Sequence, residues 1–290
     1  MDIFIQFVFS GLTIGSMYAL TALGIVLIYN ATSLINFAQG DFTMLAGLAA
    51  ASLVAAGTPL IAAVGIAIVP PILVALLLQR FSSYIVRRST MLEVIIMTVA
   101  VALVVQGIAQ VYWGKELYTV PHFSGDRPLT LGSATILPQA LWVLGISTAL
   151  LVAVACFFSM TVMGKAILAA AHNPSVAQMM GINVEATRIF CFVLSAVLGA
   201  LAGIATAPIT FAIYDSGLMI GLKGIVAALI GGIGSGVGAV IGGLLLGLCE
   251  AMTAGYISSQ YKDAVPLVIM LLLFMVLPHG IMGGSRSERV

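Results

Sequence analysis

The sequence is built from apolar stretches of about twenty residues that recur from end to end, separated by short polar connections. They fall near residues 4–29, 36–56, 60–79, 92–113, 139–160, 188–212, 237–256 and 264–280, with a shorter piece at 219–233 ahead of the seventh. A helix needs about 20 apolar residues to cross the hydrocarbon core of a bilayer, so each long stretch has the length of one crossing. The stretches are too long and too continuously apolar for the alternating strands, about ten residues each, of a membrane barrel. Helices are then the only open-ended way to satisfy backbone polar groups in lipid. Composition agrees: 61% of residues are hydrophobic and 7% charged, and the mean hydropathy is +1.20. A soluble domain carries about 25% charged residues. The expected fold is an all-α polytopic integral membrane protein with about eight or nine transmembrane helices, one of them a short broken crossing. Residues 1–290 leave no room for a separate soluble domain.

Several classes are excluded early. Eleven Lys and Arg against ten Asp and Glu leave a net charge of +1, so no basic surface points to nucleic acid. Cys156, Cys191 and Cys249 lie inside apolar runs, where they are expected as small core residues, and form no CxxC pattern. His122, His172 and His279 are isolated, so no metal site is expected. Met1-Asp2-Ile3 lacks a basic n-region and the following apolar run is long, so the first segment is expected to remain in the mature protein. Gly164-Lys165-Ala166 and Gly114-Lys115-Glu116 lack the rest of a Walker A loop, and no GxSxG or HExxH occurs. Neither an enzyme nor a bound cofactor is expected.

Glycine recurs at helical spacing in Gly11/Gly15, Gly199/Gly203, Gly238/Gly242 and Gly243/Gly247. Such small-xxx-small pairs allow helix backbones to approach closely in lipid. Orientation follows from the cations beside the spans. Arg80, Arg87 and Arg88 place the loop between the third and fourth spans in the cytoplasm. The mixed-charge loop 114–138, with Lys115, Glu116, Asp126 and Arg127, then faces outside, and 161–187, with Lys165 and Arg188 at its edge, returns inside. Arg286 and Arg289 argue for a cytoplasmic tail. Eight spans starting outside end outside, so one further crossing is needed, and the short piece 219–233 is its candidate. It runs into Gly231-Gly232-Ile233-Gly234-Ser235-Gly236-Val237-Gly238, which should break a helix. A break at membrane depth is tolerated only under cover of protein or beside a water-filled cavity, which makes 219–238 a candidate transport element.

Charges within the spans are few. Glu93, Asp41 and Glu250 are expected near helix ends, where snorkelling accommodates them. With no buried carboxylate expected, energy for pumping has to come from a partner. Asn36 and Gln39 are three apart and share a helix face close to Asp41, where they either line a translocation route or hydrogen-bond between helices. In the loop 161–187, Asn173-Pro174-Ser175-Val176-Ala177-Gln178-Met179-Met180-Gly181 describes a short helix. Asn173 suits the N-cap, Pro174 the first helical position and Gly181 a left-handed C-cap. Val176, Met179 and Met180 then form an apolar knob, which serves either an interfacial helix on lipid or a dock for a soluble partner.

Four stretches together resemble the permease subunit of bacterial ABC importers for branched-chain amino acids, the LivH type, over nearly the whole chain. Gly11-Leu12-Thr13-Ile14-Gly15-Ser16-Met17-Tyr18-Ala19-Leu20 looks like the family's first-span signature. Ile35-Asn36-Phe37-Ala38-Gln39-Gly40-Asp41 is similar to its INFAHGE motif, with Gln39 for His and Asp41 for Glu. Gly164-Lys165-Ala166 through Gly181-Ile182-Asn183 looks like the loop that contacts the ATPase, though less charged than is usual. Gly231-Gly232-Ile233-Gly234-Ser235 through Gly242-Gly243 matches the glycine-rich stretch before the penultimate helix.

The resemblance implies a single permease domain in the bacterial inner membrane, working with a second permease subunit of the homologous LivM type, two cytoplasmic ATPases and a periplasmic substrate-binding protein. It makes Lys165, Asn173, Pro174, Val176, Met179, Met180 and Gly181 the ATPase-coupling residues. The polar face at the second span and the glycine break make Asn36, Gln39, Asp41, Gly231, Gly232, Gly234 and Gly236 the candidates for the translocation path. The rival reading is a self-contained channel or facilitator for a small neutral solute such as urea or an amide, which leaves the capped helix at 173–181 without a role.

Overall fold

The computed structural model describes residues 2–85, 91–125, 128–131, 134–276 and 280–282. Met1, Arg87, Arg88, Asp126, Arg127, His279, Arg286 and Arg289 lie outside the described residues. In chain order the elements are α1 (Asp2–Thr32), α2 (Gln39–Ala55), α3 (Leu60–Ala67), α4 (Val69–Ile85) and α5 (Met91–Trp113), then β1 (Leu129–Leu131) and β2 (Ala134–Ile136). They continue with α6 (Pro138–Met160), α7 (Val162–His172), α8 (Pro174–Met179), α9 (Val184–Thr210), α10 (Ser216–Gly231), α11 (Gly236–Tyr256) and α12 (Ala264–Val276). Among the described residues six helical segments are long and apolar enough to cross a membrane, and shorter apolar helices complete the bundle. The multi-pass all-α expectation holds. The exception is a small antiparallel ribbon in which Leu129 pairs with Ile136 and Leu131 with Ala134.

The expected third span is one crossing in two helices, α3 and α4, which meet at Ile68. Pro70 and Pro71 open α4 and have no N–H to offer the preceding turn, so the helix cannot run through.

α1 is the central pillar, with 89% of its apolar window buried, whereas α6 on the outside has 17% of its window buried. A helix apolar on every side has no face to turn to water and belongs in the interior. Its main partner is α11, antiparallel along the whole length. Phe7 meets Tyr256 edge-on at 5.5 Å at one end, and Asn30 Nδ2 donates to the Gly234 carbonyl at 3.1 Å at the other. The expected glycine pairs make this seam. A methyl group at Gly11 would sit 2.9 Å from Leu248 Cα and one at Gly15 3.0 Å from Leu244 Cα, while Gly243 and Gly247 lie against the backbones of Ala19 and Gly15. The other pairs act alike: Gly203 faces the Thr43 backbone, Gly199 faces Phe42, Gly242 faces Ala227 and Gly238 faces Gly231.

α9 also runs antiparallel to α1. Arg188 Nε donates to the Ala31 carbonyl at 3.3 Å, the Ser195 hydroxyl lies 2.9 Å from the Gly24 carbonyl, and Thr206 Oγ1 is 3.4 Å from the Met17 sulfur. Arg80, Lys165 and Arg188 gather at the end of the bundle where α1 finishes and α9 begins, the end that the positive-inside rule expects in the cytoplasm. The hairpin between α10 and α11 lies there too. Gly280, Ile281 and Met282 return to the same end, where Ile281 N–H and Met282 N–H donate to the Ile230 and Gly231 carbonyls at 2.9 Å each. The piece 219–233 falls in α10, which runs toward that end, and the chain returns to the side of α7 and α8.

This topology fixes a labelling result. In a background without Cys156, Cys191 and Cys249, a cysteine at Ser258 should react with an impermeant thiol reagent from outside. One at Ser175 should react only after the membrane is opened. A Ser175 cysteine labelled in intact cells would invert the assignment.

Two cysteine expectations change. Cys191 is buried, but Cys156 and Cys249 are exposed on the bundle's outer surface, because an apolar run in a membrane helix has a lipid-facing side as well as a packed one.

Candidate functional site: two half-length helices meeting inside the bundle

The second apolar stretch does not cross from the cytoplasmic end as expected. After α1 ends, Ser33 takes a left-handed conformation (φ 58°) and the chain turns back inward without helix over residues 34–36. Asn36 Oδ1 accepts from Ala38 N–H at 3.1 Å, forming a local turn, and Thr98 Oγ1 accepts from Phe37 N–H at 3.4 Å. α2 then starts at Gln39, beside Ser195. Ser195 lies about 16 Å along α9 from Val184 at 1.5 Å per residue, roughly halfway through the bundle. Gln39 Nε2 donates to the Ser195 carbonyl at 3.2 Å, and its Oε1 lies 2.6 Å from the Ser195 hydroxyl. Irregular backbone at this depth is tolerated because it is covered by protein.

α10 also begins inside the bundle, next to this start. Gly217 packs on Asp41 and Gly221 on Gly40 and Phe37, while Gly224 lies against Thr21 and Ile25 of α1. Two half-length helices thus overlap at their N-termini, α2 leaving toward the outside and α10 toward the cytoplasm. The absence of a side chain at Gly40, Gly217 and Gly221 lets the two backbones touch.

Asp41 stands at this crossing in the first turn of α2, near a helix end as expected, but it is 0% exposed and does not snorkel. Gln106 Nε2 from α5 donates to its Oδ1 at 2.9 Å. Its Oδ2 has no hydrogen-bond partner among the described residues, and neither do Asn36 Nδ2 and Thr43 Oγ1. Small cavities lie on either side. One of about 20 Å³, room for a single water, is bordered by Thr43, Met17, Thr206, Thr210 and Ser216. Another of about 10 Å³ lies toward the cytoplasm beside Asn36, Thr98, Ser82 and Phe192.

Glu250 is the second correction, because it is buried rather than snorkelling at a helix end. Lys223 of α10, which the sequence reading did not single out, reaches its Oε1 at 2.8 Å and Asp263 Oδ1 at 2.7 Å. Tyr18 of α1 donates to Glu250 Oε2 at 2.8 Å, and the Lys223 ammonium stands 5.5 Å from the centre of the Tyr18 ring. Asp263 belongs to the external connection before α12. Its carboxyl is held below the usual carboxylate range by the hydrogen bond from Lys223, against an opposite push from partial burial. A lone charge among 219–233 carries little weight in a hydropathy reading. The helical spacing of Gly217, Gly221 and Gly224 from one another was the available sign that α10 is a packed helix.

At the cytoplasmic end the short helix forms as its residues require. Asn173 Oδ1 accepts from Val176 N–H at 3.2 Å, Pro174 is the first residue of α8, and Gly181 has φ 84°. Ala177 packs inward with Ala170 and Val184, leaving Val176, Met179 and Met180 at 53%, 87% and 79% exposure. Lys165 is exposed on α7, whose N-cap is Thr161, accepting from Gly164 N–H at 2.9 Å. Gly231, Gly232, Gly234 and Gly236 surround the tight turn from α10 into α11, in which Gly232 (φ 103°) and Gly234 (φ 101°) take conformations that favour glycine. Among the described residues no group of three or more His, Cys, Asp or Glu is placed to hold a metal ion.

Residues 7–274 match the family described as branched-chain amino acid transport system / permease component. The high-affinity branched-chain amino acid transport system permease protein LivH of Escherichia coli (strain K12) is 32% identical, over 99% of this chain and 98% of its own. A probable branched-chain amino acid transport permease protein LivH of Methanocaldococcus jannaschii is 29% identical over 92% of this chain and 89% of its own. Among solved structures, a chain of PsaBC from Streptococcus pneumoniae in complex with Fab superposes with a TM-score of 0.52 at 14% identity. It covers 95% of this chain and 92% of that one, a likeness of fold.

Proposed function

The chain belongs to the branched-chain amino acid transport permease family, and from that premise we propose that it is the membrane subunit of an ATP-driven, binding-protein-dependent importer. Its cargo is amino acids, branched-chain ones first, moved across the bacterial inner membrane. ATP is hydrolysed in two cytoplasmic partner subunits, cargo is delivered by a periplasmic binding protein, and a second permease chain of the LivM type completes the membrane unit in contact with lipid. This chain is not an enzyme and requires no cofactor. Asn36, Gln39 and Asp41 belong to the translocation path, and Gly231, Gly232, Gly234 and Gly236 form the turn about which α10 moves.

The observation that carries the reading is α8. Its inner face is tied to the bundle through Ala177, and its outer face presents Val176 and two methionines to the cytoplasm. Flexible thioether side chains suit a dock that must stay seated while its partner changes shape. With Lys165 beside it, α8 seats in a groove of the ATPase and passes that subunit's closure to α9.

Met179→Asp tests this. The substitution places a charge in an apolar contact, which costs several kcal/mol if it stays unpaired. Copurification of the ATPase should drop at least tenfold, with membrane insertion unchanged. Normal copurification and normal uptake would remove α8 from the coupling role.

A further inference from the structure

The unspent hydrogen-bonding capacity at the half-helix crossing has a definite chemical character. Asp41 Oδ2 is a carboxyl oxygen, Asn36 Nδ2 is a neutral donor and Thr43 Oγ1 is a hydroxyl able to donate or accept. All three residues are more than nine-tenths buried and fall within eight residues of chain, 36–43, around the start of α2. Buried polar groups are normally satisfied, so several orphans in one short segment ask for a partner the resting chain does not contain. Asp41 forms no ion pair among the described residues, while Lys223 is engaged by Glu250 and Asp263.

The geometry points to a cargo station at the Asp41 crossing, where the α-ammonium of an amino acid is received by Asp41 Oδ2, with Thr43 and Asn36 lining the route on its outer and inner sides. This rests on the amino-acid importer reading above and adds to it the group that Asp41 meets. A neutral amide or urea offers no cation to an anionic acceptor, so the same residues separate the two cargo classes. An unpaired carboxylate at this depth is costly, and an arriving ammonium offsets that cost.

Access requires the α2–α10 seam to part. Only backbone and glycine close it at Gly40, Gly217 and Gly221. Gln106 holds Asp41 Oδ1 from the α5 side, which leaves Oδ2 as the free oxygen when α10 moves. The cavities beyond Thr43 and Asn36 lie one to each side of the closed seam. They mark where the cargo's route continues outward and inward.

Two variants test the station in the complete importer, with ATPases and binding protein, reconstituted in proteoliposomes and supplied with labelled leucine. Asp41→Asn keeps an acceptor for Gln106 and removes the charge. Uptake should fall at least tenfold, with binding-protein-stimulated ATP hydrolysis within twofold of wild type. Gln106→Ala removes the internal hydrogen bond and keeps the carboxylate, and should cost less than threefold. The reverse pattern, an intact Asp41→Asn importer and a crippled Gln106→Ala one, would make the pair a structural pin and overturn the station. An Asp41→Asn protein that loses its melting temperature together with its uptake would overturn it as well. Leucine uptake by wild type with an unaffected Asp41→Asn importer overturns the station alone. A wild-type complex that carries no α-amino acid overturns the cargo class beneath it.

Discussion

Lys223→Met should destabilise the protein by about 3–5 kcal/mol, the range measured when one partner is removed from a buried ion pair. The loss comes from what is left behind. Glu250 keeps only the Tyr18 hydroxyl, and its charge is stranded between α1, α10 and α11. Melting of the purified protein in detergent reads the effect directly. Lys223→Met combined with Glu250→Gln should recover most of it, because an uncharged amide still accepts from Tyr18 and no buried ion remains unpaired. A double variant as unstable as the single one would show that Lys223 acts through packing alone. The Asp263 arm is weaker, since that side chain is 45% exposed and screened by solvent. Its carboxyl is depressed, so its contribution is present at neutral pH and lost as pH falls through the folded-state value. Asp263→Asn should lower stability modestly at neutral pH and leave it little changed in acid, where the carboxyl is already protonated.

Gly243→Val should be at least as damaging, by a different route. The added side chain would meet backbone atoms of Ala19, which have no rotamer to change. Ordinary overpacking costs about 1–3 kcal/mol because side chains shift to absorb it. Here α1 and α11 have to separate along a seam that Gly11, Gly15 and Gly247 also close. The expected result is loss of folded protein from the membrane. Gly145→Ala in α6 is the matched control: nothing lies within 4 Å of the added methyl. Replacing an exposed helical glycine by alanine is worth up to ~1 kcal/mol in the helix's favour. Equal damage at both sites would mean that glycine content, not the seam, sets tolerance.

Features governed by local chemistry were legible in the sequence. The length of an apolar run fixes whether it can cross, four-residue glycine spacing places small residues on one helix face, and Asn173 with Pro174 and Gly181 bounds α8 without tertiary help. What stayed hidden depends on depth and on distant partners. Hydropathy reads Leu34 and Ile35 as the approach to a span and has no term for whether Gln39 lies at the membrane surface or beside Ser195, 156 residues away. Polar Asn30, Thr32, Ser33 and Asn36 around that return were the available sign that the chain folds back there. Lys223 and Glu250 were hidden because each alone reads as a tolerable exception in an apolar run. Their meaning lies in the pairing, set by how α10 and α11 fold back on each other at Gly231–Gly238.

The buried start of α2 also bears on how the protein is made. Gln39, Gly40 and Asp41 leave the ribosome early, but their cover comes from Ser195 on α9 and from Gly217 and Gly221 on α10. At roughly 5–20 residues per second of synthesis, the first half of the chain waits on the order of ten seconds with a carboxylate and two amides that it cannot bury. During that interval the segment has to rest in the headgroup region or in the insertion machinery, and it enters the bundle only as α10 arrives. Biogenesis of this subunit therefore ends with an inward step near its own beginning, and a chain truncated before α10 would be exposed to quality-control proteolysis however well its first spans had inserted.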